Sequence, residues 1–143
     1  LGELILDIEL EYDLAFEEDL CGTCTACLDA CPTNALQEYQ INSGKCISYL
    51  NIEHRGDFDD NNDNLDGWIY GCDICQNVCP WNSKFAQETD EELFKPKEEI
   101  LKWTNEDWQN LDEEKFRKLF KGSAVKRTKY KGLIRNIKSV EKL

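Results

Sequence analysis

The 143-residue sequence lacks methionine, has one histidine and three prolines, and contains no long hydrophobic run. No segment reaches the roughly 20 apolar residues of a membrane span, and no segment is typical of a secretory signal peptide. These absences predict a chain that lies in the cytoplasm, away from membranes, where thiols stay reduced. Removal of an initiator could explain the missing methionine, but not the strand pattern of the opening residues, which needs sheet neighbours, so we expect the C-terminal piece of a longer protein.

Basic residues are absent from residues 1–20, which carry eight carboxylates. The formal net charge of the chain is -12, and this acidic balance argues against indiscriminate binding to nucleic acid. Ten of the 17 basic side chains lie between residues 115 and 138. This asymmetry predicts a tail that contacts a polyanion, although a solvated basic helix face is an equally good interpretation of the same charges.

Cysteine, by contrast, is abundant: eight cysteines lie between Cys21 and Cys79, in the runs CGTCTACLDACP and CDICQNVCP and at Cys46. Eight thiolates in this layout are typical of two 4Fe–4S clusters, with four ligands for each cluster. Zinc and disulfides are the alternatives. The first run has one thiol too many for a zinc knuckle, and a disulfide framework is typical of small secreted chains.

In two-cluster ferredoxins, three closely spaced cysteines bind one cluster and the cysteine before proline binds the other. This crossed pattern gives the first cluster the ligands Cys21, Cys24, Cys27 and Cys79. It gives the second cluster the ligands Cys31, Cys46, Cys72 and Cys75. In an ordinary ferredoxin the cysteine that pairs with Cys72 in a CxxC motif would be at position 69, where this chain has Ile69. Cys46 takes that place instead, and an insertion (residues 47–71) separates it from Cys72. Two linked one-electron centres suit a chain that delivers electrons elsewhere.

A simple electron carrier has no need of the insertion. We expect it to form a wall beside the second cluster, where a substrate or a second cofactor binds. Ser48 and Asp73 flank the cysteines at its two ends and are the candidate contacts for that ligand. Helix capping and loop hydrogen bonds are the alternative interpretation of both residues. His54 lies beside Arg55 in a polar loop, which favours solvent exposure over a role as ligand or proton carrier.

The predicted fold class is α+β, in three parts. Residues 1–20 have the alternation of a strand, and because a lone strand needs sheet neighbours, we assign it to an upstream domain. Residues 21–86 are predicted to form a bacterial-type ferredoxin-like domain for two 4Fe–4S clusters. Residues 87–143 are predicted to form a helical, basic tail.

Local signals predict several helix boundaries. Pro32 is expected to open a short helix through Leu36, and residues 46–53 have helical spacing. In the tail, the predicted signals are a capping box at Thr104 and Asp107, an N-cap at Asp112, a helix end at Gly122, and a last helix around Leu133, Ile134 and Ile137. The Asp- and Asn-rich loop 56–67 lacks the ligand spacing of an EF-hand.

Four segments together resemble one known family. CGTCTACLDACPTNAL, CISYLNIE, YGCDICQNVCPWN and GSAVKRTKYKGLIRN are similar to the C-terminal half of the epoxyqueuosine reductases. The second and third segments are far more specific than the ferredoxin pattern, and the resemblance runs from the opening GELILDIEL to near residue 137. It implies an enzyme with an upstream cobalamin domain that reduces epoxyqueuosine to queuosine in tRNA.

The resemblance implies the same two sets of cysteine ligands, with electrons passing through the clusters to cobalt. The general acid is expected upstream, so no catalytic residue is assigned in this chain and we expect it to bind clusters without turnover. Ser48 and, less directly, Asp73 are expected to face the corrin. Phosphates of tRNA are expected to meet Lys126, Arg127, Lys129, Lys131 and Arg135.

Two other functions stay open from the sequence: an iron–sulfur domain like that of the reductive dehalogenases, and a plain electron-transfer ferredoxin module. The first lacks a basic tail, and the second has no use for the insertion. We also expect a monomer that receives electrons from a separate donor protein. Some members of the resembled family continue into helical repeats after GLIRN, so a smaller contact with tRNA is expected here.

Overall fold

The computed structural model describes residues 3–59 and 64–140, which form eight short helices, three 3₁₀ turns and one two-stranded sheet. The helices are α1 (Ala26–Ala30), α2 (Ile47–Ile52), α3 (Ile74–Asn77), α4 (Pro80–Phe85), α5 (Glu98–Leu101), α6 (Asn105–Gln109), α7 (Glu113–Leu119) and α8 (Lys129–Val140). The 3₁₀ turns are Ser43–Lys45, Glu92–Phe94 and Ala124–Thr128. The first two positions of the predicted strand, part of the Asp- and Asn-rich loop and the end of the tail lie outside the described residues.

The only sheet among the described residues is a hairpin of β1 (Leu36–Gln37) and β2 (Gln40–Ile41). The strands are antiparallel, with Leu36 opposite Ile41. The predicted α+β class therefore holds in a coarse form, as a mainly helical chain with one small sheet. Helices α1 and α3, which each follow the start of a cysteine run, pack against each other.

The helix predicted from Pro32 to Leu36 is wrong. This segment forms a turn that leads into β1, because Asn34 adopts a positive φ of 50° and Leu36 joins the hairpin. The second proline of the cysteine runs, Pro80, does open a helix, α4. The proline alone is compatible with both outcomes, since it fixes only its own φ and removes one N–H.

The predicted N-caps and the last helix of the tail are confirmed. Thr104 and Asp107 form a reciprocal capping box at the start of α6, and Asp112 accepts a 2.7 Å hydrogen bond from the Lys115 N–H at the start of α7. Helix α7 ends at Leu119, and Gly122, with φ of 75°, turns the chain three residues later. The tail core contains Leu111, Phe116, Leu119, Phe120, Leu133 and Ile137.

A second, smaller core lies under the insertion and contains Ile47, Leu50 and Leu65. Val140, at the end of α8, packs against this core, while Leu133 and Ile137 of the same helix belong to the tail core. Helix α8 therefore joins the tail to the insertion.

Residues 3–20 form no strand or helix, and their side chains are exposed. Ile5, for example, is 98% exposed and Tyr12 fully so. A strand cannot form without a partner, so its assignment to an upstream sheet stays a prediction. None of the helices in the described ranges is long and apolar enough to cross a membrane.

Candidate metal centre

The structure brings four cysteines from distant positions around one cavity. These are the predicted ligands of the second cluster, Cys31, Cys46, Cys72 and Cys75. The rest of the cavity wall is apolar and consists of Pro32, Ala35, Leu36, Ile41, Ile47 and Ile74. All four cysteines are half-buried and none forms a disulfide.

Each of these cysteines lies at or near the end of a helix or turn. Cys31 follows α1 and Cys46 precedes α2, where its carbonyl accepts a 2.9 Å hydrogen bond from the Leu50 N–H. Cys72 lies two residues before α3, directly after Gly71, whose φ of 73° turns the chain toward the cavity. Cys75 is the second residue of α3. The insertion thus leaves the cavity at Cys46 and returns to it at Cys72.

Two thiols of this group, Cys31 and Cys72, have shifted pKa values. Burial alone raises the pKa of Cys31, but hydrogen bonds from the Thr33 hydroxyl and the Ala35 N–H outweigh burial and lower the pKa overall. The Ala35 nitrogen lies 3.3 Å from the Cys31 sulfur. Burial raises the pKa of Cys72, and the neighbouring Cys75, Cys46 and Asp73 raise it further by repulsion between negative charges.

This donor set fits an iron–sulfur cluster. Four thiols in an apolar wall repel one another once ionised, and bound iron removes that repulsion because it is positively charged. Among residues 3–59 and 64–140, no three His, Cys, Asp or Glu side chains are arranged to hold a single metal ion. In a cubane each thiolate binds a different iron, so its ligands stand farther apart than those of one zinc ion.

The predicted ligands of the first cluster are brought together in part. Cys21, Cys24 and Cys27 line a second, open pocket against the β1–β2 hairpin. The Cys24 N–H donates to the Cys21 carbonyl at 3.1 Å, which closes the CxxC turn. Cys79 is half-buried between α3 and α4 and does not line this pocket. Its role as the fourth ligand stays a prediction.

An Asp–Tyr pair beside the pocket of Cys21, Cys24 and Cys27 was not predicted from the sequence. The Tyr39 hydroxyl donates to Asp19 at 2.6 Å, and Asp19 also accepts from the Cys21 N–H at 2.9 Å. The bond raises the pKa of Tyr39 to about 12 and, with the Cys21 N–H, lowers the pKa of Asp19. Asp19 therefore anchors the first cysteine to the hairpin. The available signal was an aspartate two residues before the cysteine run, a spacing suited to an Asx turn.

Ser48 and Asp73 lie beside the second group without lining its cavity. Ser48 is half-buried in the first turn of α2. Asp73 is exposed at the N-terminus of α3, and its side chain accepts no capping hydrogen bond there. The alternative interpretation of Asp73 as a helix cap therefore does not describe this structure. Contact of either residue with a corrin stays a prediction.

The basic residues predicted to contact tRNA divide into three kinds. Lys126, Lys129 and Lys131 are exposed. Arg127 pairs with Glu53, a contact that raises the pKa of Arg127 and lowers that of Glu53. Arg135 is partly buried and stacks on Phe58, with its guanidinium carbon 3.9 Å from the ring centre.

Arg135 has a structural role that the sequence did not predict. Its guanidinium donates to the carbonyls of Leu50 (2.9 Å), His54 (3.1 Å) and Gly56 (2.7 Å). The remaining N–H groups donate to the Asn136 side chain at 3.2 and 2.9 Å. All five guanidinium N–H groups are thus engaged within the chain, and contact of Arg135 with tRNA phosphate stays a prediction.

A cationic pocket lies where α8 begins. Its lining includes the basic residues Arg55, Lys129, Lys131 and Arg135 and the two carboxylates Asp57 and Glu113. His54 is half-buried rather than exposed, and its Nε2 lies 3.2 Å from the Asp57 carbonyl. Arg55 is the basic residue that sequence reasoning missed, because it is far from the tail in sequence.

Comparison with known proteins agrees with this description. Residues 20–82 match the model of a 4Fe-4S double cluster binding domain. The epoxyqueuosine reductase of Cellulophaga algicola is 48% identical over 139 residues, which cover 96% of this chain and 45% of that protein. The chain thus spans a little under half the length of the curated relatives it matches.

Solved structures give the same family. The epoxyqueuosine reductase of Bacillus subtilis is 35% identical, with a TM-score of 0.76 over 92% of this chain and 35% of that one. An epoxyqueuosine reductase bound to an epoxyqueuosine-modified tRNA-Tyr stem loop is 33% identical, with a TM-score of 0.72 over 91% of this chain and 34% of that one. The similarity extends through the cysteine runs, the insertion and the tail, so this chain belongs to the epoxyqueuosine reductase family.

Proposed function

We propose that this chain is the iron–sulfur portion of a cobalamin-dependent reductase that converts epoxyqueuosine to queuosine in tRNA. Its two 4Fe–4S clusters would relay electrons toward cobalt, and the reaction would consume two electrons and two protons and release the epoxide oxygen as water. The first cluster is held by Cys21, Cys24, Cys27 and Cys79, and the second by Cys31, Cys46, Cys72 and Cys75.

The observation that carries this proposal is the cavity shared by Cys31, Cys46, Cys72 and Cys75. The insertion, which a plain ferredoxin lacks, contributes Ile47 to the wall of this cavity. It also joins Cys46 to Cys72, so that both of its ends lie at the cavity. The insertion thus joins two of the proposed cluster ligands and contributes to the wall beside them. This favours a reductase with a substrate or cofactor site over a freely diffusing electron carrier.

Cobalamin, when bound, supplies a strongly reducing cobalt centre for opening the epoxide. The residues of this chain that suit its edge are Ser48, which is half-buried in α2, and Asp73, which is exposed just before α3. Ser48 offers a hydroxyl that can donate or accept, and Asp73 offers an uncapped carboxylate. The general acid and the larger part of the corrin site are expected outside this chain.

The cationic pocket and the exposed lysines support a tRNA contact. Lys126, Lys129 and Lys131 are exposed, and Arg55 adds a fourth cation at the start of α8. A relative has been solved with a tRNA stem loop. Contacts with phosphate weaken as the salt concentration rises, because the release of counterions from the RNA is then less favourable. Arg127, paired with Glu53, is the less available member of the predicted set.

The deciding experiment uses the full-length protein, reconstituted anaerobically with iron, sulfide and cobalamin. With a strong chemical reductant and tRNA that carries epoxyqueuosine, we expect mass spectrometry to show conversion to queuosine. Cys46→Ser is expected to abolish conversion. Lys102→Ala, at an exposed position away from both cysteine groups, serves as the control and is expected to leave conversion unchanged. An untouched epoxide in protein that holds both clusters and cobalamin would overturn the proposal.

A further inference from the structure

A buried polar network fixes the two ends of the insertion. Asn51, on α2, has no exposed surface. Its side-chain amide donates to the carbonyls of Trp68 (3.1 Å) and Gly71 (2.8 Å), and its side-chain oxygen accepts from the Gly71 N–H at 2.9 Å. Cys46 directly precedes the helix that carries Asn51, and Cys72 directly follows Gly71. One side chain therefore ties the segment of Cys46 to the segment of Cys72.

The tail completes this network from the other side. The Asn136 amide donates to the Asn51 carbonyl at 2.7 Å and to the Ile69 carbonyl at 2.9 Å. The Thr128 hydroxyl donates to the same Asn51 carbonyl at 2.9 Å. Asn136 has no exposed surface and Thr128 is 1% exposed. Both ends of the insertion are thus held by α8 as well as by each other.

Burying side-chain amides costs free energy unless each polar group is hydrogen-bonded, so this network needs a structural explanation. Buried amides must find every partner, because an unsatisfied group costs more than a hydrogen bond returns. No described buried side-chain nitrogen or oxygen is left without a partner. The insertion has only a small apolar core of Ile47, Leu50 and Leu65, which holds the segments together without fixing their register. The amide pairs supply that register, since hydrogen bonds are directional and apolar contacts are not.

We propose that Asn51 and Asn136 are positioning residues of the second cluster: they fix the separation of Cys46 and Cys72 through hydrogen bonds to the backbone between them. This inference rests on the proposed ligand set. It assigns the tail a role in cluster binding that is separate from any contact with tRNA, because the network uses the buried face of α8 and the lysines lie on its exposed face.

The test uses the full-length protein reconstituted anaerobically. Two clusters hold about eight iron atoms per chain. We expect Asn51→Leu and Asn136→Leu to lower the iron content to about half. The electron paramagnetic resonance spectrum of the reduced protein is expected to change from that of two interacting clusters to that of one isolated cluster. Cys46→Ser, which removes a ligand directly, is expected to give the same spectrum.

A milder variant guards against a failure to fold. Thr128→Val keeps the shape of the side chain and removes one hydrogen bond to Asn51. We expect an iron chelator to extract the second cluster about fivefold faster from this variant, the factor for one buried hydrogen bond. Extraction of the first cluster is expected to keep its rate. Leu111→Ala, which opens a cavity in the tail core away from the network, is the matched destabilising control and is expected to retain both clusters.

The outcomes separate the inference from the proposed function. If Cys46→Ser retains both clusters, the ligand set is wrong. If Cys46→Ser loses one cluster while the three network variants keep both, with unchanged spectra and extraction rates, the positioning role is refuted. It is also refuted if Leu111→Ala loses the second cluster to the same extent, because general destabilisation then explains the effect.

Discussion

Replacing Gly132 by alanine sets two opposing effects against each other on α8. Gly132 is the fourth residue of this helix, where alanine is favoured over glycine by about 1 kcal/mol. A Cβ atom at this position would lie 2.6 Å from the Thr128 hydroxyl oxygen, which is nearer than such atoms can approach. The hydroxyl is not free to move, because it is buried and bonded to the Asn51 carbonyl.

The magnitudes favour destabilisation. Forcing the methyl group into this space costs about 1–3 kcal/mol, and losing the Thr128 hydrogen bond costs about 1 kcal/mol more. The Asn51 carbonyl still accepts from Asn136, so it is not left unpaired. After the helix gain is subtracted, we expect Gly132→Ala to lower stability by about 1–3 kcal/mol.

The sign should reverse when Thr128 is alanine. The next nearest atom to the added methyl group is the Thr128 Cβ, at 3.7 Å, which is an ordinary contact. In the Thr128→Ala background, Gly132→Ala is therefore expected to stabilise α8 by about 1 kcal/mol. Hydrogen exchange of the α8 and α2 amides measures both values as local opening free energies. Equal stabilisation in the two backgrounds would refute the steric argument.

Three further perturbations have defined outcomes. Asp19→Asn is expected to return the pKa of Tyr39 from about 12 toward about 10, seen as phenolate absorbance at lower pH; an unchanged titration would contradict the Tyr39–Asp19 bond. Since the pKa of Tyr39 is raised in the folded state, this bond contributes to stability below about pH 10 and its contribution is lost as the pH rises through about 12. Asp112→Ala removes the N-cap of α7 and should cost about 1 kcal/mol in denaturant unfolding, whereas Asp112→Asn should cost much less. Lys129→Gln with Lys131→Gln should weaken tRNA binding at low salt and reduce the salt slope by about two, and an unchanged slope would place the RNA elsewhere.

Local chemistry in the sequence predicted the parts of the fold that depend on neighbouring residues. The capping box at Thr104 and the N-cap at Asp112 are confirmed because a cap needs only a side chain and an N–H three positions away. The spacing of the cysteines and the position of Cys46 likewise indicated which four thiols share a cavity. The helix predicted after Pro32 failed because pairing with Ile41 fixes Leu36, and that pairing is not visible in residues 32–36.

Residues whose partners are distant in sequence were the ones that local reasoning missed. Arg135 carries the same charge as the lysines around it, and only its hydrogen bonds to carbonyls 79 to 85 positions away distinguish it from them. Asn51 gives no signal at all in the sequence, because an asparagine in a short helix is ordinarily exposed or a cap. Charge and helix propensity indicate which interactions a side chain can make, whereas its burial and its partners in the fold determine which interactions it does make.

The predicted boundary between residues 86 and 87 separates two segments of different amino-acid composition. The folded chain nevertheless makes extensive contacts across this boundary. The insertion starts inside the cluster domain, yet its backbone carbonyls at Leu50, Asn51 and Ile69 accept their side-chain hydrogen bonds from α8. If the Arg135 and Asn136 side chains were truncated within the packed structure, the carbonyls of Leu50 and Ile69 would lose these partners, at a cost of about 1–3 kcal/mol each. An insertion with so small an apolar core cannot offset several such losses. The tail is therefore a structural part of the surroundings of the cavity cysteines, because α8 holds the backbone between Cys46 and Cys72.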